Sequence, residues 1–219
     1  MAIHLNSSTG ELYLYGVVGF DSADDGSFND SDVAESLDRL RGKRVKVYIN
    51  SPGGGFSQGV AIYNLLKRHR AGVETIVDGL AGSIASIIFL AGSRRVMMAN
   101  SKLMIHRAIA ATSGNVGDFS KMADLLDQHD QVLLDIYAGY MVGKTRSEIA
   151  AMLEAETWLT PSEAYAMGLA TDLTPATSKQ TPKVAAWFQR PPSDLLEANG
   201  VVTPCLWDQR REFMRLRYR

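Results

Sequence analysis

Residues 73–106, VETIVDGLAGSIASIIFLAGSRRVMMANSKLMIH, carry the reading that decides the fold. The β-branched run over 73–78 predicts a strand, the small residues 79–82 a turn, and the apolar run from Ser83 a helix. Extended segments then return the chain to His106. A serine at the first turn of an apolar helix, directly after a strand, is where a backbone can present a hydroxyl sharply. Ala81-Gly82-Ser83-Ile84-Ala85 keeps bulk away on both sides, as glycines do around the serine of hydrolase nucleophile elbows. Unpaired N–H groups at a helix N-terminus favour an oxyanion there. Ser83 is therefore the candidate nucleophile and His106 its candidate base.

Upstream, residues 45–49 (VKVYI) predict a strand running into Asn50-Ser51-Pro52-Gly53-Gly54-Gly55, then a helix through Val60, Ile62, Leu65 and Leu66. Strand, glycine turn and helix, repeated, predict βαβ units and a parallel sheet, an α/β fold. Ligands of such sheets gather beyond the carboxyl ends of the strands, where both glycine turns fall. Without a Cβ in the way, the N–H groups of Gly53 and Gly54 can approach a substrate carbonyl. They are candidates for one oxyanion donor, and the N–H of Ile84 for the other.

A serine needs a base within reach, and elimination selects it. Of the four histidines, His4 is terminal, His69 sits in the basic run Lys67-Arg68-His69-Arg70, and His129 lies in a polar run. Only His106 follows an apolar strand, Leu103-Met104-Ile105. Each motif alone fits a plain helix-start turn or a structural histidine. Together they point to acyl transfer.

Further out, residues 11–18 alternate as a strand. The segment 20–32 is a solvated loop whose acidic spacing matches no calcium loop. Asp30 or Ser31 is expected to cap a short helix through Val33, Leu37 and Leu40. A long helix is expected over 117–141, with Phe119, Met122, Leu126, Leu133, Ile136 and Tyr140 at helical spacing. Thr145 with Glu148, and Thr160-Pro161 with Glu163, mark two further helix starts. Residues 169–173 return to the sheet. Five of the seven prolines lie beyond Thr174. The expected organisation is a catalytic domain over 1–173 and a Pro-rich linker with a basic tail over 174–219, bearing Arg210, Arg211, Arg215, Arg217 and Arg219. Gly143-Lys144-Thr145 is no phosphate loop, because Ala138 stands where its first glycine belongs.

The net charge of −1 argues against a general nucleic-acid binder. A single cysteine, Cys205, excludes an internal disulfide and a cysteine-rich metal site. No basic segment followed by an apolar run opens the sequence, and the apolar run 84–91 is far too short to cross a bilayer. A cytoplasmic protein with no cofactor, no metal and no membrane partner is expected.

YINSPGGG at 48–55, GVAIYNLL at 59–66, GLAGSIASIIFLAG at 79–92 and LMIH at 103–106 together resemble the Clp protease proteolytic subunit (ClpP) family. The resemblance covers residues 11–173. It implies a ClpP/crotonase-type fold with a long handle helix and subunits joined in homo-oligomeric rings acting on protein or peptide substrates. It also implies that Ser83 and His106 are catalytic and that Gly53, Gly54 and Ile84 bind the oxyanion. For the third triad member, a Gly-Leu-x-Asp pattern meets Gly168-Leu169-Ala170-Thr171-Asp172 here. Thr171 takes the aspartate's place and Asp172 follows one step on, on the opposite face of a strand. The expectation is Asp172, re-aimed by a bulge, with Thr171 or no carboxylate at all as alternatives. The stretch 156–170 and the appended tail look closer to the ClpP-like prohead (head maturation) proteases of tailed bacteriophages, which implies capsid or scaffold substrates and no ATP. A general ClpP-like peptidase working with an unfoldase ATPase, a crotonase-like acyl-CoA enzyme and a non-catalytic ring protein are the competing readings.

Overall fold

The computed structural model describes residues 2–19 and 26–174. The expected linker and basic tail lie, from residue 175 on, outside the described residues, as do residues 20–25 of the acidic loop.

The chain opens with β1 (Ile3–Asn6), β2 (Glu11–Val18) and the two-residue β3 (Ser27–Phe28), followed by α1 (Asp30–Arg39). The cap of α1 is Asn29, one residue before the expected position. Its side chain accepts the Asp32 N–H at 3.0 Å, and the Asp32 carboxylate accepts the Asn29 N–H at 3.0 Å. This reciprocal pairing satisfies two donors at the helix start.

Next come β4 (Val45–Gly54), α2 (Phe56–Lys67), β5 (Val73–Gly82), α3 (Ile84–Leu90), β6 (Arg94–Met98) and β7 (Lys102–Ile105). Both glycine-rich segments differ from expectation. They continue their strands instead of turning, so β4 runs through Ser51-Pro52-Gly53-Gly54 and β5 through Gly79-Leu80-Ala81-Gly82. The ladder carries them, with Val18 opposite Gly54 and Ala81 opposite Leu103.

The chain then forms α4 (Val116–Ala138), α5 (Arg146–Glu154), β8 (Thr157–Leu159), α6 (Pro161–Ala166) and β9 (Asp172–Thr174). The strand order is β1-β2-β4-β5-β6-β9, with β3 on β2 and β7 between β5 and β8. Pairings from β2 through β6 and on to β9 are parallel, while β1–β2 and β7–β8 are antiparallel.

Leu12, Leu14, Val45, Val47 and Ile49 face the core on alternate positions. Helix α3 is buried at all seven positions, the pattern of an apolar helix enclosed on every side. Each such Ile or Leu contributes about 1.5–3 kcal/mol through burial. Helix α4 buries only its second half, through Leu133, Leu134 and Tyr137, while Val116 and Phe119 remain 87% and 53% exposed. No helix among the described residues is long and apolar enough to cross a membrane.

Candidate active site

Strand β5 ends at Gly82, and Ser83 follows with φ 53° and ψ −130°, in a region that side chains rarely adopt. Neighbouring bonds hold it there. The Ser83 N–H donates to the Met104 carbonyl at 2.9 Å, and the Ser83 carbonyl accepts the Ser86 hydroxyl at 2.5 Å. Ser86 in turn meets the Tyr137 hydroxyl of α4 at 2.6 Å. This backbone aims the hydroxyl toward the end of β7, where His106 follows. Ser83 Oγ and His106 Nε2 lie 2.8 Å apart.

The end of β4 packs against the same corner. At Gly53 (φ 98°) a Cβ would fall 2.6 Å from Ser83 Cβ and 2.7 Å from the Gly82 carbonyl oxygen. At Gly54 (φ 145°) it would fall 1.9 Å from the Val18 oxygen. Both positions require glycine. The Gly53 N–H donates to Ser51 Oγ at 3.1 Å. Gly54, Ser83, Ile84 and His106 line one cavity of about 350 Å³, walled by Phe56 of α2 and Met122, Leu126 and His129 of α4. The Phe56 and His129 rings stack with centroids 3.8 Å apart.

Burial lowers the His106 pKa from its ordinary 6.5, because a buried imidazolium loses hydration. Two carboxylates oppose that shift, Glu156 more strongly than Asp130. Asp130 is buried on α4; it accepts the Ala108 N–H at 2.7 Å and Arg107 Nε at 2.5 Å.

Glu156 was not a sequence candidate. Its position follows from the β7–β8 ladder, which pairs Leu103 with Leu159, Met104 with Trp158 and Ile105 with Thr157. Glu156 immediately precedes β8, at the end of the ladder where Ile105 leads into His106. Glu156 also has a positive φ of 51°, a backbone conformation uncommon outside glycine and held here by its surroundings. A carboxylate immediately before the alternating Thr157-Trp158-Leu159 was the available signal, but a three-residue strand is too short to announce itself by periodicity.

The expectation for Asp172 and Thr171 is corrected. Asp172 pairs with Val96, and Val96 with Ile76, six residues short of Gly82 along β5. At about 3.3 Å per residue that places it roughly 20 Å from the serine's end of the strand. Its carboxylate instead accepts Arg94 Nε at 3.2 Å and the Thr171 hydroxyl at 2.8 Å, and Arg94 holds its pKa below the ordinary value. Thr171 Oγ1 accepts the Arg95 N–H at 2.9 Å. No bulge re-aims the segment, because the Arg95 guanidinium grips the carbonyls of Leu169 at 2.6 Å and Gly168 at 3.0 Å. Asp78, the one carboxylate near the two glycine segments in sequence, is engaged by the Tyr15 hydroxyl. No group of three or more His, Cys, Asp or Glu among the described residues could hold a metal ion.

Comparison with known proteins agrees with this architecture. The chain is 34% identical over 129 residues to the ATP-dependent Clp protease proteolytic subunit 4, chloroplastic, of Arabidopsis thaliana, covering 58% of this chain and 44% of that one. It is also 34% identical over 127 residues to subunit 3 from the same plant, covering 57% and 41%. The chain thus spans less than half the length of these relatives. A solved structure, a point mutant of ClpP1 from Listeria monocytogenes, superposes with a TM-score of 0.67 at 20% identity, covering 78% of this chain and 94% of that one, which shows the shared fold. The Clp protease family profile matches residues 33–176, more than half of the chain, and the chain belongs to the Clp protease family.

Proposed function

We propose that the protein is a serine endopeptidase that cleaves peptide bonds through an acyl-enzyme. The observation that carries this reading is the 2.8 Å contact between Ser83 Oγ and His106 Nε2, at a corner where Gly54 and Ile84 line the same cavity. His106 takes the Ser83 proton as Oγ attacks the scissile carbonyl. The N–H groups of the Gly53-Gly54 segment and of Ile84 receive the oxyanion, and the imidazolium returns its proton to the leaving amine. Water, activated by His106, then releases the acyl group. The negative charge of Glu156 favours the charged form of the imidazole. An unstructured protein such as casein should be cleaved by the wild type and left intact by Ser83→Ala.

The narrower reading is a head maturation protease of a tailed phage or prophage, acting without ATP in the host cytoplasm on capsid or scaffold proteins as a homo-oligomeric ring. It rests on the sequence of residues 156–170 and the appended segment from 174. Incubation with candidate capsid and scaffold proteins, followed by mapping of new termini, tests it. The names of the Arabidopsis relatives, which are ATP-dependent, favour a second reading in which an unfoldase delivers the substrate. Cleavage of folded targets only when such an ATPase is added would select that one.

A further inference from the structure

The catalytic cavity is apolar over much of its wall, through Phe56, Ile109, Met122, Leu126 and Leu133. Gln58 on α2 and His129 on α4 also line it, and the catalytic chemistry uses neither. A Cβ on Gly55 would fall 2.4 Å from Gln58 Oε1, so the amide folds back over the end of the Gly53-Gly54-Gly55 segment. Among the described residues, Gln58 Oε1 is the only buried side-chain nitrogen or oxygen without a hydrogen-bond partner. An acceptor left in that condition is rare and marks a place for a ligand to complete.

His129 lies flat on Phe56, with ring centroids 3.8 Å apart and planes inclined by 13°. The stack fixes the imidazole and leaves its nitrogens at the edge. Neither nitrogen has a hydrogen-bond or ion-pair partner among the described residues. A substrate side chain that fills the cavity takes solvent away from these polar atoms. A wholly apolar one gives nothing back, and stripping a polar atom without replacing its bond weakens binding. A side chain with a hydrogen-bonding tip restores the bond.

We infer that Gln58 and His129 are specificity-determining residues, which select a substrate side chain with a neutral hydrogen-bond donor at the tip of a large apolar body over its donor-less counterpart. The inference rests on the peptidase reading and describes the side chain held beside the scissile bond. The donor requirement follows from Gln58 Oε1, which can only accept. An ionised carboxylate offers it no donor. A cationic tip finds no counter-charge, because no Asp or Glu lines the cavity and the lining already holds Arg107. The Phe56 ring and the Met122 sulfur suit an aromatic body. Tyrosine meets each of these demands, and phenylalanine lacks only the donor.

Fluorescence anisotropy on the full chain carrying Ser83→Ala, which cannot consume its ligand, tests this. The labelled peptides are identical except for one central tyrosine, O-methyltyrosine or phenylalanine. The tyrosine peptide should bind roughly tenfold more tightly than either of the others. Gln58→Met and His129→Phe remove the polar atoms with little change of shape. Added together to Ser83→Ala, they should bring the three peptides to within about twofold of one another, with thermal melting reporting whether the fold is intact. Should that variant melt early, the three-peptide ratio of Ser83→Ala still decides the donor requirement, and the two substitutions made singly assign it. Equal binding of the three peptides by Ser83→Ala, no binding of any, or a tyrosine preference that survives both substitutions would overturn the proposal. A tyrosine preference that holds while the wild type leaves the same peptide uncut would overturn the peptidase reading alone.

Discussion

Asp130 accepts the backbone N–H of Ala108 at 2.7 Å, and so ties the middle of α4 to the segment that carries His106. The carboxylate is buried, while its second partner, Arg107, is half exposed and also reaches Glu154 at 2.9 Å. Screening weakens the guanidinium pairing, so the buried bond to the backbone carries most of the stabilisation. Asp130→Ala leaves that N–H without its acceptor and should destabilise the fold by about 2 kcal/mol. Asp130→Asn keeps an acceptor there and should destabilise less. Urea titration of both variants checks the order.

Glu156, not Asp172, should govern the base. Glu156→Gln removes the larger of the two charges that counter burial at His106. The imidazole pKa should then fall further below 6.5. Because the neutral ring is the active base, the acidic limb of the kcat profile should move to lower pH. Asp172→Asn should leave the limb in place and change kcat by less than about twofold, since only the Arg94 pair is lost. A pH–rate series on a small peptide substrate distinguishes the two.

Gly53→Ala should abolish turnover without touching a reacting atom. The added methyl would sit 2.6 Å from Ser83 Cβ, and the left-handed backbone at that position would itself resist the change. A loss of at least about 10²-fold in kcat/KM is expected, since small displacements of a nucleophile are that damaging.

Helix α6 starts from Thr160, whose side chain accepts the Glu163 N–H while the Glu163 carboxylate accepts from the Thr160 N–H and hydroxyl. These bonds hold the Glu163 pKa below its ordinary value. Thr160→Ala should lower stability by about 1 kcal/mol, seen as an earlier urea midpoint with kcat unchanged.

The pair Ser83 and His106 was legible in the sequence because its signal is local. Small residues flank the serine, and an apolar strand delivers the histidine to a sheet end. The helix starts at Thr145 and Thr160 were legible for the same reason, since a capping box spans only four residues. Gly53-Gly54 and Gly79–Gly82 read as turns because glycine usually breaks a strand; here pairing with neighbouring strands continues through them, even where Gly53 and Gly54 take positive φ. Glu156 was hidden because its role depends on a register between β7 and β8, two strands separated by α4 and α5. Asp172 was misread because a motif one residue out of step says nothing about which end of the strand it reaches. Its neighbour Arg95 fixes that end through carbonyl contacts that leave no mark on sequence pattern.

The most direct test of the central claim is to treat the full chain with a fluorophosphonate and locate the adduct by mass spectrometry. The account predicts a single adduct on Ser83, absent in Ser83→Ala and slowed by at least about 10²-fold in His106→Ala. An adduct on another residue, or undiminished labelling of Ser83→Ala, would contradict it.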